Sequence, residues 1–125
     1  MIQMALRGIR GATVASDNTK EAILSATTDL LSQLIEQNTL AIEDIVTIFF
    51  SLTQDLDAEF PAVSARQMGL VDTPLLCLCE ISVPQSLKPC IRILIQCNSD
   101  KAQKDMIPVY LKEAQTLRPD TCPQP

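Results

Sequence analysis

The sequence predicts an α+β fold: a mixed β-sheet with one long helix and short helical turns. Three observations predict it. Apolar residues recur at three- and four-residue spacing across 19–37, as in one amphipathic helix. Apolar, β-branched runs at 45–52, 75–83 and 90–97 are separated by stretches that carry prolines, which marks three strands. The 125 residues, 46% of them hydrophobic, suit one domain, predicted at 1–118 with a loose C-terminal tail at 119–125. Folding a chain of this length buries roughly two-thirds of its surface.

Each element follows from local chemistry. Residues 2–14 (IQMALRGIRGATV) read as a first strand, broken at Gly8 and Gly11. Asn18, with Glu21 three positions later, resembles a capping box and opens the helix at about Thr19. Its stripe is Ala22, Ile23, Ala26, Leu30, Leu31, Leu34 and Ile35, and Asn38 is its stop. The run IVTIFFSL at 45–52 is a largely buried strand. Mixed spacing over 55–68 predicts a helical turn or two around Pro61. Pro74 introduces the strand at 75–83 (LLCLCEISV), 84–89 is a loop, and 90–97 (CIRILIQC) is the next strand. The segment 98–105 is polar, and 106–111 stays open between helix and strand. Three prolines between 119 and 125 predict the tail.

Composition narrows the chemistry. The chain has no histidine, which excludes Ser-His and Cys-His nucleophiles, imidazole-ligated metals and the usual base near neutral pH. Ten basic against fifteen acidic residues give a net charge of −5, with no basic stripe for nucleic acid or an anionic membrane surface. No stretch approaches the run of about 18 apolar residues that a membrane span needs. Cys77, Cys79, Cys90, Cys97 and Cys122 are odd in number, and no secretory signal is read at the N-terminus. They are expected as reduced thiols in a cytoplasmic protein. Cys77-x-Cys79 lacks a second ligand pair, so no zinc site is expected.

Two apolar strands carry charges. In 90–97, Ile91, Ile93 and Ile95 share one face, while Arg92, Leu94 and Gln96 share the other. Glu80 interrupts 75–83 in the same way. A charge taken out of water must be paired or face a polar pocket. Glu80 and Arg92 therefore form an internal ion pair, sit on a solvated face, or line a pocket for an anion. An arginine fork suits a carboxylate, which it meets with two hydrogen bonds.

From Arg7-Gly-Ile-Arg10-Gly-Ala-Thr13 onward the sequence resembles the monofunctional, barrel-type chorismate mutases, the AroH class. The supporting stretches are IRGAT at 9–13, the helix opening after Asp17, Asp55-Leu56, and Phe60-Pro61-Ala62 with Arg66. They continue through Pro74-Leu75-Leu76-Cys77, Glu80, Leu87-Lys88, Cys90-Ile91-Arg92, Val109-Tyr110-Leu111 and Leu117-Arg118-Pro119-Asp120. These pieces stand in order and at family-like spacing along nearly the whole chain.

The resemblance implies a homotrimer with a pseudo-α/β-barrel core and active sites at subunit interfaces. It implies chorismate as substrate, rearranged to prephenate in phenylalanine and tyrosine biosynthesis, with no cofactor and no metal. Arg10, Cys77, Glu80, Arg92, Tyr110 and Arg118 would line the pocket from one subunit. Phe60, Ala62, Val63 and Arg66 would come from its neighbour, and Leu75, Leu76 and Leu117 would complete the apolar wall. Arg92 would meet the ether oxygen, and Arg10 and Tyr110 a carboxylate. Glu80, with Cys77, would take the ring hydroxyl, and Arg66 and Arg118 would sit near the mouth.

Glu80 comes three positions after Cys77, so a regular strand puts them on opposite faces. Only a bulge, a strand end or the Cys77 backbone brings both to one ligand. The chain departs from many relatives at Val63 and Leu76, where polar residues are common, and in the spacing of 69–73. The alternative is a non-catalytic trimeric module that binds a small carboxylate on the same fold. Retention of Arg92 together with Glu80 favours catalysis.

Overall fold

Five strands and two α-helices occupy residues 4–117, the part of the chain that the computed structural model describes. They are β1 (Ala5–Val14), α1 (Lys20–Gln37), β2 (Ile45–Leu52), α2 (Ala62–Gln67), β3 (Leu75–Cys79), β4 (Cys90–Ser99) and β5 (Val109–Tyr110). Short 3-10 turns lie at Ile42–Asp44, Gln103–Asp105 and Lys112–Thr116. Arg118, Cys122 and the expected tail at 119–125 fall outside the described residues.

The strands form one sheet in the order β3-β2-β4-β1-β5. β4 runs antiparallel to β1 and β2, whereas β2–β3 and β1–β5 are parallel, so the sheet is mixed as predicted. α1 lies across one face. Its Leu30, Leu31 and Leu34 join Ile9, Ile48, Phe50, Ile93 and Ile95 in one buried core. The three isoleucines of β4 thus share the helix side, and Arg92 and Leu94 point the other way.

The helix start differs from the expected capping box. Thr19, in extended conformation, is the N-cap, and its hydroxyl accepts from Ala22 N at 3.1 Å. Asn18 instead clasps the loop after β2. Its Oδ1 accepts from Asp57 N and Ala58 N, and its Nδ2 donates to Asp57 Oδ1. Asn38 does end the helix, and its buried amide serves a second purpose. It donates to Leu34 O and Ile107 O, both at 2.9 Å, and accepts from Ile107 N at 2.7 Å. That clamp anchors the segment entering β5.

β1 runs unbroken through both glycines. At Gly11 an added Cβ would sit 2.8 Å from the Val109 carbonyl oxygen and 3.1 Å from Cδ1 of Leu30 and Leu34. Glycine lets β5 and α1 close on β1 at that point. The open segment 106–111 resolves as the short strand β5, and Leu111 N donates to Ala12 O at 2.9 Å. β3 is shorter than the predicted 75–83 and ends at Cys79, although Glu80 N still donates to Leu52 O at 2.9 Å.

Among the described residues, no helix covers the opposite face of the sheet. Leu76, Leu78 and Leu94 are 50%, 48% and 41% exposed there. At one end a small cluster of Ala12, Cys90, Tyr110 and Ala114 packs with Leu87 and Leu117. Among the described residues, no helix is long and apolar enough to cross a membrane.

Candidate active site

Strand register alone assembles a row of side chains on that open face. Ser51 is the partner of Arg92 across β2–β4 and of Leu78 across β2–β3. Arg92 is in turn opposite Ala12 on β1, and Ala12 is beside Tyr110 on β5. One line across the sheet therefore runs Leu78, Ser51, Arg92, Ala12, Tyr110. Arg10, two residues before Ala12, shares their face, in register with Leu94. A cavity of about 520 Å³ lies over this row, lined among others by Arg10, Phe49, Ser51, Leu78, Arg92 and Tyr110. That volume suits a small organic ligand.

Glu80 enters from the end of β3. By alternation it follows Leu76 and Leu78 onto the open face, and its Oε2 stands 3.4 Å from Arg92 Nε. Ser51 Oγ donates a hydrogen bond to the same oxygen. Among the described residues, Glu80 Oε1 receives no hydrogen bond. The Arg92 side chain is 45% exposed, so its ion pair contributes little to stability, about 0–1 kcal/mol. The internal pair and the pocket foreseen as alternatives are the same residues. Arg10 and Arg92 against Glu80 leave one excess positive charge around the cavity.

A second hollow, of about 420 Å³, opens at the β3 edge of the sheet. It is lined by Phe60, Ala62 and Arg66 beside Leu75, Leu76 and Cys77. Val63 follows Ala62 on α2 and is half-buried. Phe60 is 67% exposed, a large aromatic surface left to solvent. Cys77 is in register with Phe50 and packs against the core on the helix side, apart from Glu80. Burial pushes its thiol pKa up, while a backbone hydrogen bond from Ala62 and the Arg66 charge pull it down. Burial likewise raises Cys90, opposed by the nearby Arg92 guanidinium.

A family model described as chorismate mutase type I matches residues 6–121. The chain belongs to the chorismate mutase type I family. It is 44% identical to the chorismate mutase AroH of Thermus thermophilus over 116 residues, 92% of this chain and 95% of that one. It is 42% identical to the chorismate mutase AroH of Bacillus subtilis (strain 168) over 118 residues, covering 94% and 93%. A solved chorismate mutase from Clostridium thermocellum superposes with a TM-score of 0.86 at 49% identity, covering 87% of this chain and 97% of that chain. The protein is thus an isomerase with chorismate mutase activity.

Within this chorismate mutase chain the expected residues fall into two groups. Arg10, Glu80, Arg92 and Tyr110 converge at the first cavity, and Leu117 packs with the Tyr110 cluster beside it. Phe60, Ala62, Arg66, Leu75, Leu76 and Cys77 gather at the second hollow. Arg118 is not among the described residues. Sequence reasoning missed Ser51, Phe49, Leu78 and Leu94. Ser51 had a readable signal: it is, with Thr47, one of two polar residues in IVTIFFSL, as Glu80 and Arg92 interrupt their own runs.

Proposed function

We propose that this chorismate mutase rearranges chorismate to prephenate by restraining the substrate and stabilising charge on its ether oxygen. The carrying observation is Arg92 lining a cavity, with Glu80 Oε2 3.4 Å from its inner nitrogen Nε. In the Claisen rearrangement the ether C–O bond breaks and a C–C bond forms within one molecule. No proton is transferred, so the absence of histidine is no obstacle. Holding the flexible dicarboxylate with its two ends in contact removes much of the entropic barrier. As C–O cleavage runs ahead, negative charge grows on the ether oxygen, and the fixed Arg92 guanidinium stabilises it more than the ground state. Arg10 and Tyr110 bind a carboxylate, and Glu80 Oε1 accepts from the ring hydroxyl.

In this reading the protein is a cytoplasmic homotrimer serving phenylalanine and tyrosine biosynthesis. Two features support an assembly whose sites lie between subunits. Among the described residues, the sheet face opposite α1 leaves the large apolar side chains of Leu76, Leu78 and Leu94 exposed around the polar row. The second hollow gathers Phe60, Ala62 and Arg66 with Leu75, Leu76 and Cys77, so a neighbour's copy of it, with Val63 beside Ala62, would wall the first cavity. This moves Cys77, which the resemblance placed with Arg92 in one subunit, to the neighbour's side of the site. Arg118 would stand near the mouth.

The test is direct. Purified protein is mixed with chorismate, loss of its ultraviolet absorbance is followed, and prephenate is identified as product. Turnover no faster than the uncatalysed reaction overturns the reading and favours a carboxylate-binding module.

A further inference from the structure

We infer that Ser51, which faces Arg92 across β2–β4 and donates to Glu80 Oε2, is a positioning residue for the rearrangement. It keeps Glu80 from capturing the tip of Arg92. The inference rests on the proposed reading of the cavity.

Glu80 lies one residue beyond the end of β3, and the pair is partly exposed, 45% at Arg92 and 23% at Glu80. An exposed ion pair is too weak to hold one geometry. Left to itself, a carboxylate facing an arginine tends to the two-bond fork arrangement, in which both oxygens bind guanidinium nitrogens. That arrangement would occupy the groups that the reaction needs: the terminal nitrogens of Arg92 and the second oxygen of Glu80.

Ser51 opposes this. It is anchored within a strand and has a single side-chain torsion before its hydroxyl. Its hydrogen bond ends on Oε2, the oxygen that also stands nearest to Arg92 Nε. With the Ser51 hydroxyl and the Arg92 charge both at Oε2, Oε1 is left as an acceptor for the ring hydroxyl. The terminal nitrogens of Arg92 are left for the ether oxygen. The hydroxyl itself needs no contact with substrate, and its effect passes through Glu80.

The experiment is steady-state kinetics on chorismate with Ser51→Ala, Ser51→Thr, Glu80→Ala and the Ser51→Ala/Glu80→Ala double variant, each checked for unchanged thermal unfolding. Ser51→Ala should lower kcat roughly tenfold or more, as loss of a hydrogen bond to a charged group does, with KM within about threefold. Ser51→Thr retains the hydroxyl and should restore most of the rate. In the Glu80→Ala background, removing the Ser51 hydroxyl should cost less than about twofold, because the group it orients is gone. Near-normal kcat in Ser51→Ala, or an equal loss with and without Glu80, overturns the inference while leaving the proposed function in place. A parent protein with no turnover overturns the function and this inference together.

Discussion

Ser51 and Arg92 stand directly opposite each other on antiparallel strands, β2 and β4, with their side chains on the face that α1 does not cover. Cross-strand partners have Cβ atoms about 4.5–5.5 Å apart, close enough for a shared third group to be held between them. Glu80 is that group. The placement of the Ser51 and Arg92 Cβ atoms depends on backbone register, so it is as rigid as the sheet itself. The buried isoleucines 91, 93 and 95 on the reverse side resist any slip of β4, which would turn Arg92 into the core.

Replacing Arg92 therefore tests chemistry more than stability. Arg92→Lys should lower kcat by about a hundredfold or more, because a point charge on a flexible stem replaces a fixed fork. Its melting temperature should stay within a few degrees of the parent, since the exposed pair contributes only about 0–1 kcal/mol. Kinetics and thermal unfolding of the purified variant check both halves. A near-normal kcat refutes the role of Arg92.

The two glycines of β1 make a matched pair. Gly11→Ala drives a Cβ to 2.8 Å from the Val109 carbonyl oxygen, a backbone atom that cannot swing away. It should destabilise by about 1–3 kcal/mol, as overpacking does, and should also lower activity by displacing β5 and its Tyr110. At Gly8 the nearest atom to an added Cβ is Leu94 Cδ1 at 3.7 Å, an ordinary contact. Gly8→Ala should leave stability nearly unchanged. Urea denaturation of the two variants separates them, and equal losses would refute the packing account.

These contrasts show what the chain reveals before it folds. The stripe of α1, the strand at Ile45–Leu52 and the inward isoleucines of β4 were readable because their periodicity is set by the core they bury. Asn18 misled because Asn and Thr are both good caps. Which one caps was decided by a loop 39 residues away that Asn18 holds instead. β5 was ambiguous because two residues carry no period, and only β1 and the Asn38 clamp define it. The convergence of Arg10, Glu80, Arg92 and Tyr110 needed register between distant strands. Spacing within one strand did foresee that Cys77 and Glu80 diverge.

The thiols of Cys77, Cys90 and Cys97 should be quiet and should link stability to pH. Burial raises the pKa of Cys77, Cys90 and Cys97 above the usual thiol value. A group whose pKa is higher folded than unfolded contributes stability that is full below its unfolded pKa and is lost as pH rises through the folded one. Stability should accordingly decline above about pH 8.5, the pKa of a free thiol. Alkylation proceeds through the thiolate, so at pH 7.5 iodoacetamide should modify Cys90 and Cys97 at least about tenfold more slowly in native than in urea-unfolded protein. Peptide mass spectrometry gives the rates, and equal rates in both states would contradict the burial.

The division of the expected residues between two cavities makes a quantitative statement about subunits. Arg92 lines the first cavity and Arg66 the second, in a single chain. If a working site takes Arg92 from one subunit and Arg66 from its neighbour, Arg66→Ala and Arg92→Ala chains complement each other. Random exchange at equal amounts leaves roughly a quarter of the sites in a cyclic assembly with both arginines. Mixing the two impaired proteins after a cycle of mild unfolding and refolding should then raise activity well above the mean of the separate samples. Exchange itself is verified by native mass spectrometry with one variant isotopically labelled. A site contained within one subunit always lacks one arginine or the other, whatever the mixture. Proven exchange with no gain in activity would therefore rule out the shared site.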